Sequence, residues 1–122
     1  MARILVVEDS AVARAMIGEL LLMNGHEVAG EAEDLAQAVA AYAAQRPDLV
    51  TLDLSMGKED GFAVLRALRQ ADPKARVLIL SANTQQTIYD DLIKEGAVGF
   101  LRKPFSMTDL VQAVARGLAA RS

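Results

Sequence analysis

The segment Arg3-Ile4-Leu5-Val6-Val7 is apolar on both faces, rich in β-branched residues, and stops at the acidic pair Glu8-Asp9. A run without alternation predicts a strand buried on both sides, as in a parallel sheet. Ser10 is placed to cap a helix whose apolar positions include Val12, Met16, Ile17, Leu20 and Leu21. Asn24-Gly25 ends that helix, glycine being suited to the left-handed exit. A short strand around Glu27 to Gly30 follows. Asp34 with Gln37 reads as a capping box that opens an alanine-rich helix finishing before Pro47. Asp48 to Leu52 is the third strand and ends on Asp53. A loop, Leu54 to Asp60, leads into a helix carrying Phe62, Leu65 and Leu68, which gives way at Asp72-Pro73. Arg76 to Leu80 is the fourth strand and ends on Ser81. A helix from about Thr84 to Glu95 stops at Gly96. Val98 to Leu101 is the fifth strand, closely followed by Lys103-Pro104, and Ser106 then caps a helix with Leu110, Val114 and Leu118 on one stripe.

Strand and helix alternate strictly with short connections, which predicts an α/β fold: a doubly wound (βα)5 unit, its five-stranded parallel sheet covered by helices on both faces. No proline- or glycine-rich linker and no repeat interrupts the pattern, so residues 1–122 are expected to form a single domain and no second one. Aromatic residues make up only 4% of the chain, so the core must be built from aliphatic side chains and methionine. The absence of cysteine excludes disulfides, thiolate zinc sites and thiol catalysis. No apolar stretch is long enough to span a bilayer, and the N-terminus lacks the regions of a signal peptide, which points to the cytoplasm without membrane insertion. The net charge of −3, with acids and bases interspersed, leaves no basic face for nucleic acid.

The informative feature is where the polar residues fall. Glu8-Asp9 follow the first strand, Asp53 the third, Ser81 the fourth and Lys103 the fifth. In a parallel sheet these ends share one edge, where open α/β sheets place their ligand crevice. Each residue alone has an ordinary reading: a helix-capping Asp53, a solvated turn at Glu8-Asp9, a turn hydroxyl at Ser81, a surface charge at Lys103. Their joint placement favours a site. Three carboxylates so close repel unless a cation offsets them, and Mg²⁺ takes one or two protein carboxylates while keeping waters. One carboxylate left available is a competent nucleophile for aspartyl-phosphate chemistry, with metal and ammonium stabilising the transferring group.

At these positions the chain resembles the receiver domains of two-component response regulators, over essentially its whole length. The likeness rests on Val6-Val7-Glu8-Asp9-Ser10, on Leu52-Asp53-Leu54-Ser55-Met56 with Gly61, on Leu80-Ser81-Ala82, and on Gly96 to Phe105 with Arg102-Lys103-Pro104. With no output domain expected, it resembles the single-domain regulators of the chemotaxis type, which implies the flavodoxin-like order 2-1-3-4-5. The resemblance implies that Asp53 accepts a phosphoryl group from a histidine kinase or phosphotransfer protein. It implies direct Mg²⁺ ligation by Asp9, Asp53 and the backbone carbonyl of Ser55, with Glu8 acting largely through water. Lys103 would pair with the phosphoryl group, Ser81 would donate its hydroxyl to it, and Phe100 would occupy the switch aromatic position. The Lys103–Pro104 bond is expected to be cis, aiming the lysine into the site. A downstream protein target would bind the face made by the fourth helix, fifth strand and fifth helix. Gly57 departs from the family's usual proline, and Phe100 lacks a tyrosine's hydroxyl. Ser55 and Asn83 occupy the positions that in the family tune dephosphorylation.

Two other readings are open at this stage. A small-molecule aspartyl phosphatase of the haloacid dehalogenase pattern needs a second acid two residues beyond the nucleophile, where this chain has Ser55, and a cap domain. A receiver-like module that never takes up phosphate would be expected to lack an acid, the hydroxyl or the lysine, and all are in place. A phosphorylation switch, as opposed to a turnover enzyme, is therefore the expectation. His26 reads as a surface residue beside a turn, Met16 and Met23 as core filling or cover for a helix end, and Asp90-Asp91 with Glu95 as a solvated face.

Overall fold

The computed structural model describes residues 2–54 and 58–120. Its strands are β1 (Arg3–Val7), β2 (Glu27–Ala32), β3 (Leu49–Asp53), β4 (Val77–Ser81) and β5 (Gly99–Arg102). They form one parallel sheet in the order β2-β1-β3-β4-β5. The helices are α1 (Ala11–Met23), α2 (Leu35–Gln45), α3 (Lys58–Ala71), α4 (Gln86–Lys94) and α5 (Met107–Ala119). This is the doubly wound 2-1-3-4-5 arrangement. Every residue of β3 and β4 is buried, which is why neither strand alternates in polarity.

The sheet separates two apolar layers. Leu5, Val50, Leu52 and Ile79 face α2, α3 and α4, where they meet Tyr42, Leu65, Leu68, Tyr89 and Leu92. Ile4, Val6, Leu49, Leu78 and Leu80 face α1 and α5, where they meet Ile17, Leu21, Leu110 and Val114. Burial of each such side chain contributes roughly 1.5–3 kcal/mol, so these two layers are the main stabilising term.

The local signals operate as physical chemistry requires. Ser10 Oγ accepts from the Ala13 N–H, and Asp34 Oδ1 from the Gln37 N–H at 2.8 Å. The Gln37 side chain returns one residue further out than a capping box demands, accepting from the Glu33 N–H at 3.0 Å. A reciprocal box instead opens α5, between Ser106 and Asp109. Gly25 (φ 82°) leaves α1 in the left-handed region, and Gly96 (φ 104°) does the same after α4. No helix among the described residues is long and apolar enough to cross a membrane.

Four elements differ from the sequence reading. β2 continues to Ala32, because a register shift between Ile4 and Leu5 lets Glu31 and Ala32 pair with Val6 and Val7. α3 begins at Lys58, inside the span expected to be loop, whereas α4 begins only at Gln86. On α1, Ile17 and Leu21 are buried while Val12, Met16 and Met23 are exposed, so the two methionines fill no core.

Candidate functional site

Glu8 leaves β1, Asp53 ends β3, Ser81 ends β4 and Lys103 follows β5, all at the carboxyl edge of the sheet. Strand register holds them together. Asp53 lies opposite Leu80, Ser81 lies opposite Arg102, and the Lys103 N–H donates to the Ser81 carbonyl at 2.8 Å. The Lys103–Pro104 bond is cis. Lys103 Nζ donates to Asp53 Oδ2 and lies 3.9 Å from Glu8 Oε1. Gly61 lets α3 close on the residue after Asp53, since a Cβ there would collide with the Leu54 side chain.

Burial makes the electrostatics unusual. Glu8 and Asp53 are each only 1% exposed and Ser81 3%, while Asp9 stands exposed at the rim. Charged groups are rarely buried to this degree unless paired. The Glu8 carboxyl is pushed up to about 7, first by burial, then by hydrogen bonding with the Asp9 and Asp53 carboxyls and by repulsion from Asp53. The Ser10 N–H, 3.3 Å from Glu8 Oε2, opposes the shift. Near neutral pH, Glu8 is thus poised between holding a proton and holding a charge that a cation would favour. Among the described residues no three His, Asp or Glu side chains stand ready to hold a metal ion by themselves. Mg²⁺ does not require three, since it accepts one or two carboxylates and retains waters.

Ser81 Oγ accepts from the Asn83 N–H at 3.0 Å, and Ala82 beside it is exposed. Phe100, partly buried, stacks on Tyr89 with ring centroids 4.3 Å apart and planes 21° from parallel. Ser55, Met56 and Gly57 lie outside the described residues, so the expected Ser55 carbonyl ligand and the glycine-for-proline departure do too. The structure therefore brings together Glu8, Asp53, Ser81 and Lys103, with Asp9 at the edge, and sets Phe100 apart under α4.

Two residues in this region escaped the sequence reading. Thr51, on the same face of β3 as Asp53, is fully buried, and its Oγ1 makes no hydrogen bond among the described residues. Tyr89 is fully buried in α4 and donates its hydroxyl to the Asn83 carbonyl. A tyrosine beside the apolar positions Ile88 and Leu92, in a chain with only two tyrosines, was the available signal. Beside the site, an apolar cleft of about 470 Å³ runs between Met16, Ile17 and Leu20 on α1 and Lys103, Pro104 and Phe105.

Residues 4–115 match the family model of the response regulator receiver domain. The chain is 43% identical over 116 residues to the chemotaxis protein CheY of Bacillus subtilis (strain 168), covering 95% of this chain and 97% of that protein. It superposes on a LuxR-family two-component response regulator from Aurantimonas sp. SI85-9A1 with a TM-score of 0.92 at 32% identity, covering 99% of this chain and 87% of that one. It also superposes on a chain of the CheX–CheY–BeF3–Mg²⁺ complex from Borrelia burgdorferi, with a TM-score of 0.86 at 30% identity and coverage of 92% and 85%. With the motifs, the sheet order and these likenesses in agreement, the chain belongs to the response regulator receiver domain family and is CheY-like.

Proposed function

We propose that Asp53 accepts a phosphoryl group from the phosphohistidine of a histidine kinase or phosphotransfer protein, and that the charged domain then changes its affinity for a downstream protein. The observation that carries this reading is buried Asp53, paired with Lys103 at the carboxyl edge of the sheet beside a second buried carboxyl group, Glu8. A structural ion pair gains nothing from an additional acid pressed against it, whereas a phosphoryl-transfer site needs both a nucleophile and a place for a cation. One Asp53 oxygen attacks phosphorus, and the P–N bond to the donor imidazole breaks with its electron pair leaving on the ring nitrogen. Lys103, already bonded to Asp53, offsets charge on the phosphoryl oxygens, and the Ser81 hydroxyl donates to one of them. The hard-oxygen donor set suits Mg²⁺, which Asp9, Asp53 and the Ser55 carbonyl would hold, with Glu8 acting through water. When bound, the ion supplies charge neutralisation for the carboxylates and the incoming phosphoryl group.

Residues 1–122 act in this reading as one receiver unit, a phosphorylation switch with no external substrate to turn over. Its output leaves through the α4–β5–α5 face to a separate protein. The Borrelia burgdorferi complex supports such a partner, since it joins CheX, CheY, BeF3 and Mg²⁺ in one assembly. Chemotaxis is the setting that the names of the CheY relatives favour, and this reading places the domain in the cytoplasm. The test is incubation with phosphoramidate, followed by intact mass. One added phosphoryl group is expected with Mg²⁺ and none in excess chelator. No adduct under either condition, in a folded sample, overturns the reading.

A further inference from the structure

The Asn83 residue joins the site to the surface through both ends of its backbone. Its N–H donates to the buried Ser81 hydroxyl oxygen at 3.0 Å. Its carbonyl accepts from the hydroxyl of Tyr89, on α4. The Tyr89 ring stacks on Phe100 of β5, and the Arg102 guanidinium lies 5.1 Å from the same ring. Arg102, exposed on the outer surface, also donates to Gln86 Oε1 on the first turn of α4 at 3.2 Å. An unbroken set of contacts thus runs from Ser81, through one residue's backbone and one phenol, to exposed groups on α4 and β5.

We infer that Tyr89 is the positioning residue that transmits the state of the site to the α4–β5 surface, its hydroxyl supplying the polar contact that Phe100 cannot make. This rests on Asp53 being the phosphoacceptor. When Ser81 turns its hydroxyl to a phosphoryl oxygen, the Asn83 N–H must follow it or let go. Either response moves the Asn83 carbonyl, and a buried phenol keeps its hydrogen bond only by moving with it. The Tyr89 ring cannot move alone, because it is packed against Phe100 and lies under Arg102. The exposed consequence is a repositioned Arg102–Gln86 pair, a change in charge geometry on the face assigned to the partner. A partner can sense only such a difference between two states. Phe100 therefore moves as half of an aromatic pair, and the space beside α4 already contains the Tyr89 ring.

The test compares the unaltered chain with Tyr89→Phe, which keeps the ring and its stacking and removes only the hydroxyl. Both are titrated with beryllofluoride and Mg²⁺ and followed by amide and aromatic NMR. In the unaltered chain, the resonance of the Tyr89 ring carbon bearing the hydroxyl is expected to shift on saturation. In Tyr89→Phe, the Asp53 and Ser81 amides should shift as before, while shifts across residues 86–94 and 99–102 fall to less than about a third, as expected when a coupling contact is removed. Full-size shifts in those segments of Tyr89→Phe, or an unmoved Tyr89 resonance in an occupied unaltered chain, overturn the inference alone. If the unaltered chain takes up no beryllofluoride, the phosphoacceptor reading fails, and the inference with it. The measurement on unaltered Tyr89 decides the matter if the variant does not fold.

Discussion

At the amino-terminal edge of the sheet, charge is exposed and matched. Arg3 donates to Glu27 at 3.0 Å and to the Gln45 side chain at 3.1 Å, while its own N–H reaches Asp48 at 2.8 Å. Tyr42 donates to Asp72 at 2.8 Å, joining α2 to the end of α3. At the carboxyl edge, the same strands deliver Glu8 and Asp53 buried side by side, facing one partly exposed lysine. The pKa directions differ accordingly. The Lys74 N–H and the Tyr42 hydroxyl lower Asp72, whereas burial and its acidic neighbours raise Glu8 to about 7. One edge is arranged for the folded state by itself, whereas the proposed function gives the other a cation and a phosphoryl group to accommodate.

The largest expected effect is at the carboxyl edge. Asp53→Asn should abolish phosphoryl uptake from a histidine kinase or phosphoramidate, because an amide is not a competent nucleophile. Phosphotransfer followed with radiolabelled donor checks this, and stoichiometric acid-labile label in the variant would break the contrast.

The next effect is on stability. Glu8 sits at about 7 in the folded chain against an ordinary 4.5, so its protonated form favours folding. That contribution is complete below the ordinary value and lost as pH rises through about 7. In chelator, the chain should lose about 1–3 kcal/mol on passing through this window, relative to Glu8→Gln. Saturating Mg²⁺ should flatten the slope. Urea midpoints at a series of pH values measure it, and a slope of the same size in Glu8→Gln would exclude Glu8 as its source. Asp72 carries the opposite sign: its contribution is present above the ordinary carboxylate range and is lost on acidification.

Smaller effects sharpen the contrast from the amino edge. Tyr42→Phe removes one hydrogen bond and should cost on the order of 1 kcal/mol, read from the denaturation midpoint. Arg3→Ala removes a half-exposed ion pair and should cost at most about 1 kcal/mol, less at high salt. Neither should change the yield of phosphorylated chain. A drop in that yield with stability held would show that the two edges are not separate.

The parallel sheet was legible because strands buried on both faces lose their alternation, as β3 and β4 do. The site was legible because βα alternation brings every strand end to one edge, so scattered residues from Glu8 to Lys103 become neighbours by topology alone. The inward face of α1 was not. That helix is apolar nearly all round, so periodicity could not separate the buried pair Ile17 and Leu21 from the exposed Val12 and Met16. The late start of α4 follows from Asn83, whose Oδ1 takes the Gln85 N–H at 2.7 Å and so holds a turn where a helix was expected. Tyr89 was hidden for a related reason: its hydroxyl bonds a main-chain carbonyl, and no side-chain pattern marks such a partner.

The central claim is that the phosphoryl group resides on Asp53. Borohydride reduction of an aspartyl phosphate leaves homoserine, which peptide mass spectrometry locates. After phosphorylation with Mg²⁺ and reduction, homoserine is expected at position 53 and not at Asp9 or another acid. Homoserine elsewhere, with Asp53 recovered intact from a stoichiometrically phosphorylated sample, would contradict the claim.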